Sequence, residues 1–385
     1  MISCPPTIKV ITRSVTKASA RTYHVLAIET SCDDTAVALI ERRKQTTHLI
    51  DHDKISLDNS RAGGIIPSDA QVHHMKELPG LVSKLLQRNL LESADLICAT
   101  RGPGMFGCLS SGLNFAKGLA FAWKKPLVGV HHMLGHLLTP RFFTSGSKPT
   151  FPFHSLLVSG GHTMVVESND LLNHNVLVDT IDIAVGDALD KCARELGMQG
   201  NMLGLELEKF CNSCDGTGGE LGTIPEDFKF PIALQNGKKY SKISFSFAGY
   251  ASSMKRAIDT FSSHGQIQLS DFDRRELGKR IQEAIYKHIA IQTESALKTS
   301  GSDVIDLVCS GGVASNQLFR STLSAQLPNA NFHFTHPQWC TDNALMIGWA
   351  GIELYERGLT TGMDAVPRAR WPLQELMEDG YWEQK

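Results

Sequence analysis

The chain has 385 residues, 42% of them hydrophobic and 20% charged, enough apolar material for two or three domains of a soluble globular protein. A formal net charge of −2 excludes a protein that grips nucleic acid over its whole surface, though not one with a local basic patch. No run of about 18 apolar residues occurs, so no membrane span is expected. Nine scattered cysteines, an odd number in a long chain, argue for reduced thiols.

Residues 1–22 differ in kind. Lys9, Arg13, Lys17 and Arg21 recur every four positions, and no acid precedes Glu29. A helix there would be cationic and amphipathic, which predicts a mitochondrial presequence and a matrix location; a disordered basic tail is the alternative. From Tyr23 to Glu41 an apolar run, the polar turn SCDDT and a second apolar run read as a hairpin with Asp33 and Asp34 at its tip. Neighbours on a strand face opposite ways, so at most one of these acids faces a cleft. It could orient a nucleophile or act as a base there, although Asp also serves as a plain turn residue. His48 and His52 fall in a strand-like stretch, where four positions span about 13 Å, too far to share a metal.

SADLICATRGPGMFGCLSSGLNFAKGLAFAW then runs strand, glycine-rich loop, helix. In GVHHMLGHLL, only His132 and His136 lie four apart, which stacks both rings on one helix face; His131 points elsewhere. The segment Phe153–Ser168 repeats the hairpin pattern, and its turn SGGHT offers the amides of Gly160 and Gly161 and the Ser159 hydroxyl to a phosphate or carboxylate. GDALDK starts a helix carrying Asp187 and Asp190, suited to capping or to ribose hydroxyls. Cys211 and Cys214 form one Cys-x-x-Cys without the second pair a zinc ribbon needs, so they read as loop thiols. Residues 200–300 are less regular and partly helical, as an insertion would be.

DVIDLVCSGGVASNQLFRSTLSAQL supplies the second strand, glycine loop and helix, with Ser315 and Asn316 able to hydrogen-bond a ribose or base. HPQWCTDNALMIG adds Asp342 just before an apolar helix. Two neutral imidazoles and one carboxylate suit divalent iron or zinc with positions left open. A zincin would need Glu after the first histidine, where this chain has Met133. Two hairpin halves and two strand-loop-helix elements predict a duplicated, two-lobed α/β protein of the actin-like (ASKHA, actin/Hsp70/sugar-kinase) class. The first lobe is expected over 23–150, with 344–385 returning to it. The second is expected over 151–343, including the partly helical insertion 200–300.

Taken together, IETSCDDT, GGIIPSDAQVHH, TRGPGMFGCLSSG, GVHHMLGH, VSGGHT, GDALDK, FSFAG, GGVASN, CTDNALMIG and RARWPL resemble the TsaD/Kae/Qri family of tRNA threonylcarbamoyladenosine synthesis proteins, in particular its mitochondrial branch. The similarity runs from about Val25 to Leu373. It implies an actin-like fold and transfer of a threonylcarbamoyl group to N6 of the adenosine beside the anticodon, in tRNAs reading codons that start with A. The donor would be threonylcarbamoyl-adenylate, supplied by a separate synthase, with AMP released. By position, His132, His136 and Asp342 resemble the ligands of one divalent metal ion, iron or zinc, and Asp33 the acid essential for transfer. Leu157, Val158, Ser159, Gly160, Gly161, Asp190 and Asn316 resemble contacts to the adenylate, and Ser315 and Thr341 flank matched positions. Gly204 and Glu208 match a Gly-x-x-x-Glu contact, although many relatives have Pro-Gly-Gly where this chain reads GNMLGLELEK.

The resemblance further implies a homodimer that works without accessory subunits; no membrane partner is expected, given the lack of a long apolar run. For RNA, the local basic candidates are Lys238, Lys239, Lys242, Lys255, Arg256, Arg368 and Arg370. An actin-like ATPase or kinase, a metallopeptidase and a non-catalytic scaffold are the competing readings. The first would build a magnesium site from carboxylates, and the second would need the missing Glu.

Overall fold

The computed structural model describes residues 22–44, 46–59, 64–200, 202–213, 222–235, 243–263, 268–299, 305–378 and 380–384. Nearly all of the basic leader, Cys214, and Lys238, Lys239 and Lys242 lie outside the described residues. Within them no helix is long and apolar enough to cross a membrane.

In chain order the first half comprises β1 (Tyr23–Glu29), β2 (Asp34–Arg43), β3 (Thr46–Ser56), α1 (Pro67–Arg88), β4 (Leu96–Gly102), α2 (Phe106–Trp123), β5 (Leu127–His131) and α3 (His132–Phe142). The second comprises β6 (Phe153–Val158), β7 (Thr163–Ser168), β8 (His174–Asp179), α4 (Val185–Glu195), α5 (Leu203–Asn212), α6 (Ala248–Phe261), α7 (Asp271–Lys298), β9 (Ile305–Ser310), α8 (Gln317–Gln326) and β10 (Ala330–Phe334). Helix α9 (Ala344–Glu356) and the short strands β11 (Leu359–Thr361) and β12 (Trp382–Gln384) follow.

The first sheet has the order β3-β2-β1-β4-β5, with the three leading strands antiparallel and β1, β4 and β5 parallel. The second, β8-β7-β6-β9-β10, repeats that order and polarity. The repeat seen in the sequence is therefore a repeat of topology. Both expected hairpins and both strand-loop-helix units occupy equivalent places in the two halves. His48 and His52 do lie on a strand, β3.

Alternation along the strands sorts the apolar residues into layers. Leu26 and Ile28 of β1 pack under α1 and α2 with Leu78, Leu85, Leu113 and Ala116. Val25 and Ala27 face the other way, onto α3 and α9, whose far side meets Phe153, Leu157 and Val166 of the second sheet. Helices α4 to α8 cover that sheet's outer face. The order is thus helix, sheet, helix, sheet, helix. Because α3 sits in the middle layer, all of its residues are buried, histidines included. Helices α5 to α7 are the helical content expected between positions 200 and 300.

Candidate metal and nucleotide site

The end of β5 and the start of α3 set the histidines. His131 is not on the helix face but at its N-cap, where Nδ1 accepts from the Met133 amide and Nε2 donates to the Trp371 carbonyl at 2.8 Å. It is structural. One and two turns into the same layer, the rings of His132 and His136 lie 4.9 Å apart, nearly perpendicular. Asp342 comes from the loop before α9 and meets both: its Oδ1 is 3.1 Å from His136 Nε2 and 3.5 Å from His132 Nε2. All three ligand atoms fall within 4.8 Å of one another.

This donor set fits a divalent cation. Bonds of about 2.1 Å at octahedral or tetrahedral angles leave neighbouring ligand atoms about 3.0–3.4 Å apart, and the two distances to Asp342, 3.1 and 3.5 Å, lie in or just above that range. Electrostatics agree. Burial alone would lower the His132 pKa, but the carboxylates of Asp342 and Glu29 outweigh it and raise the ring to about 9. Burial would raise Asp342, yet His132 and His136 hold it well below the usual carboxylate range. The two carboxylates thus favour a positive charge at the His132 ring, a place a cation can take in exchange for the proton.

Next to it stands the SGGHT turn. The His162 ring centre is 6.3 Å from that of His132, and burial, with the charge of His132 and His136, depresses it to about 4. The Ser159 hydroxyl accepts the amides of Gly161 and His162 at 3.3 and 3.0 Å, so it closes the turn. Gly160 and Gly161 have open space beside them, as a ligand-facing cradle requires. Two other glycines press neighbours against this turn. A Cβ on Gly186, at the start of α4, would sit 2.7 Å from Gly160 Cα. Gly311, at φ 96°, packs its α-carbon against the Val158 carbonyl, where a Cβ would come to 2.3 Å. The second glycine loop is thereby brought beside the first, and Thr341 adjoins it, 3.8 Å from where a Cβ on Gly312 would lie.

The remaining expected contacts are distributed unevenly. Asp190 Oδ1 accepts the Gly204 amide at 2.7 Å, and Glu208 Oε1 accepts the Gln317 amide at the head of α8 at 3.2 Å. Glu206 instead pairs with Lys209 at the surface, so Gly204 and Glu208 share the inward face of α5. Ser315 donates to the Gly312 carbonyl at 2.6 Å. Asn316 is buried, its Oδ1 capping α8 through the Phe319 amide and its Nδ2 donating to Gln282. Leu157 and Val158 bury their side chains in the core, leaving only main chain to a ligand.

At the other hairpin tip the two acids part company. Asp34 is held by Lys54 at 2.8 Å and by the Ser56 hydroxyl. Lys54 also reaches the Thr341 hydroxyl and the Asp342 carbonyl, tying β3 to the metal loop. Asp33 accepts from Asn59 at 3.3 Å and from the Cys32 thiol, and burial together with the Asp34 charge raises its pKa.

Comparison with known proteins decides the family. The profile described as "TsaD: tRNA N6-adenosine threonylcarbamoyltransferase" matches residues 48–349. The chain belongs to the TsaD family. It is 38% identical to the mitochondrial tRNA N6-adenosine threonylcarbamoyltransferase of Schizosaccharomyces pombe, over 96% of this chain and 91% of that one. It is 37% identical to the corresponding enzyme of Maricaulis maris, over 93% of each. Among solved structures, HypF of T. kodakarensis superposes with a TM-score of 0.57 at 14% identity, covering 87% of this chain and 48% of that one, a likeness of fold.

Three side chains in this TsaD-family site were not singled out from sequence. His162 was quoted only as part of a turn. Glu29 lies fully buried against His132, and His74 of α1 clamps the acidic turn. The His74 Nε2 donates to the Cys32 carbonyl at 2.8 Å while Nδ1 accepts from Thr35 at 2.7 Å. The doubled histidine in QVHH was the available signal for His74; for Glu29 the signal was an acid ending an otherwise apolar central strand.

Proposed function

We propose that this protein transfers the threonylcarbamoyl group from threonylcarbamoyl-adenylate to N6 of the adenosine 3′ of the anticodon in mitochondrial tRNAs reading ANN codons, and releases AMP. The observation that carries this reading is the convergence of His132, His136 and Asp342 beside two adjoining glycine loops in a chain of the TsaD family. An iron or zinc ion held by those three residues would supply Lewis acidity toward the donor's carbonyl or phosphate. The Gly160 amide would bind the phosphate, joined by that of Gly161 on leaving its 3.3 Å bond to the Ser159 hydroxyl, while Ser159 closes the turn and Leu157 and Val158 contribute main chain only. Asp190, Gly204, Glu208, Ser315 and Asn316 would line the nucleoside side, and Thr341 would bridge it to the metal loop. Asp33 would accept a proton from, or orient, the attacking amine. The adenosine must leave its stack to reach that point.

The mitochondrial relative and the basic leader support a matrix location. Exposed apolar side chains near the adjoining starts of two helices, Val72 and Met75 of α1 and Phe106 of α2, support a homodimer. The lobes would divide at 23–150 with 344–385, and 151–343 with the 200–300 insertion. Exposed Lys255, Arg256 and Arg370 remain candidates for RNA phosphates, whereas Arg368 is paired with Glu375 at 2.8 Å.

The test is reconstitution: purified protein, an adenylate-forming synthase, threonine, bicarbonate, ATP and unmodified tRNA. Threonylcarbamoyladenosine should appear in the tRNA digest and vanish with His136→Ala. Absence of product with the intact chain would refute autonomous transfer.

A further inference from the structure

We propose that Glu29 is the positioning residue of the metal centre: its buried carboxylate holds the Nδ1 proton of His132 and so commits Nε2 of that ring to a divalent cation. The inference rests on the reading of His132, His136 and Asp342 as metal ligands, and goes beyond it to the residue that orients one of them.

The first observation is placement. Glu29 ends the central strand β1, in the row of Val25 and Ala27 that faces the middle helical layer. It is fully buried. A carboxylate in that row is expensive to desolvate unless something there needs it. The duplicated half shows that the backbone does not. In the first hairpin Glu29 pairs with Ala36, and in the second Leu157 pairs with Met164, each seven positions on. The two therefore occupy the same site of the repeat, as do Ser31 and Ser159 two residues later. Leu157 is likewise buried toward the middle layer. At this position the fold is content with leucine. The acid appears only in the copy of this position that meets His132 Nδ1.

The second observation is bonding. Glu29 Oε1 accepts the Ser31 amide at 2.6 Å. Oε2 accepts the Thr100 hydroxyl and stands 3.3 Å from His132 Nδ1. An ionised carboxylate only accepts, so Nδ1 must carry the proton, and the lone pair of a neutral ring is left on Nε2. That nitrogen is the one turned to Asp342. The Ser31 hydroxyl, 3.2 Å from the same Nδ1, makes the acid necessary. A hydroxyl can donate as well as accept, so without Glu29 it would leave both tautomers open, including the one with a proton on Nε2 pointing at the cation. Carboxylate, imidazole and metal in a row is a general means of fixing a ligand's tautomer and direction.

The experiment measures metal binding, not turnover. Metal-free protein is titrated with Zn2+ against a chromophoric chelator, and with Co2+ while its visible absorption is followed. The set comprises wild type, His136→Ala, Glu29→Gln and Glu29→Asp, with apo thermal unfolding recorded for each. Glu29→Gln keeps the shape but can present an amide N–H to Nδ1. It should bind one ion about 10–100-fold more weakly, with an altered Co2+ spectrum and an apo unfolding midpoint like that of wild type. Glu29→Asp, still an acceptor, should recover part of the affinity. If wild type binds no ion, or His136→Ala binds as wild type does, the metal reading itself fails. If those two behave as expected and Glu29→Gln keeps wild-type affinity and spectrum, the positioning role is overturned. It is equally overturned if Glu29→Gln only lowers the apo midpoint while binding the ion normally, since the acid would then serve stability alone.

Discussion

Replacing Gly186 with alanine tests whether the first glycine cradle binds the donor, without replacing any residue proposed to contact it. The new Cβ would lie 2.7 Å from Gly160 Cα, 2.8 Å from Gly160 N and 2.9 Å from the Ser159 carbonyl oxygen. Ordinary carbon contacts begin near 3.5 Å, so either α4 or the turn must retreat by roughly 0.7 Å. None of the three atoms is the flexible end of a side chain, and the turn is tied in place by the Gly186 amide to Ser159 carbonyl bond at 3.1 Å. Overpacking of this kind costs about 1–3 kcal/mol. If the strain falls on the turn, affinity for the donor drops by about 5- to 150-fold at about 1.4 kcal/mol per decade. The assay is calorimetric titration with a non-transferable analogue of threonylcarbamoyl-adenylate, beside a count of bound metal, which should not change. Wild-type affinity together with a wild-type unfolding temperature would refute the reasoning. The turn would then be either free to move or not the phosphate site.

Three further outcomes are expected. Asp33→Asn should lower the transfer rate by about 10²–10⁴ with donor and metal binding intact, whereas Asp34→Asn, which loosens Lys54 from the metal loop, should act first on metal affinity; rates and metal titration separate them. His174 and His288, buried and held near 4, bind protons more readily unfolded than folded, where the ordinary value is 6.5. Stability should therefore fall as pH drops from about 6.5 toward 4, by about 1.4 kcal/mol per pH unit for each group, and be indifferent to them above that window. Urea midpoints at several pH values check this, with His174→Gln flattening the slope by one group's share. Finally, Met75→Glu on α1 should convert a dimer to monomers in sedimentation without lowering the unfolding temperature of the monomer.

Local patterns in the chain carried the strands, the hairpin tips and the glycine loops, because alternation and turn chemistry act over a few residues. They did not carry the site as a whole. His136 and Asp342 are separated by 206 positions, and no periodicity links them; only the chemistry of a three-ligand set and the family resemblance join them. Asn316 illustrates the limit from the other side. Its amide suits a nucleoside, but its place before α8 gives the side chain to the helix cap and to Gln282, a partner 34 positions away. His131 differs from its neighbours by its place in the chain and not by its helix face: it stands outside the helix, at the cap, because β5 runs directly into α3. Glu29 went unread because an acid ending a strand looks like solvent exposure until α3 closes over it.

The two hairpin tips are the same structural object with different contents. Ser-Cys-Asp-Asp-Thr stands in one half where Ser-Gly-Gly-His-Thr stands in the other. A duplicated cleft with identical tips would be indifferent to a ligand's direction, and a donor could lie in it backwards as easily as forwards. One tip carries two carboxylates and the other two glycines and a histidine. Under the proposed function, a molecule with a phosphate at one end and an electrophilic carbonyl beyond it would enter one way round, with the carbonyl toward the acids. The loss of symmetry between the halves would then give that reaction its heading.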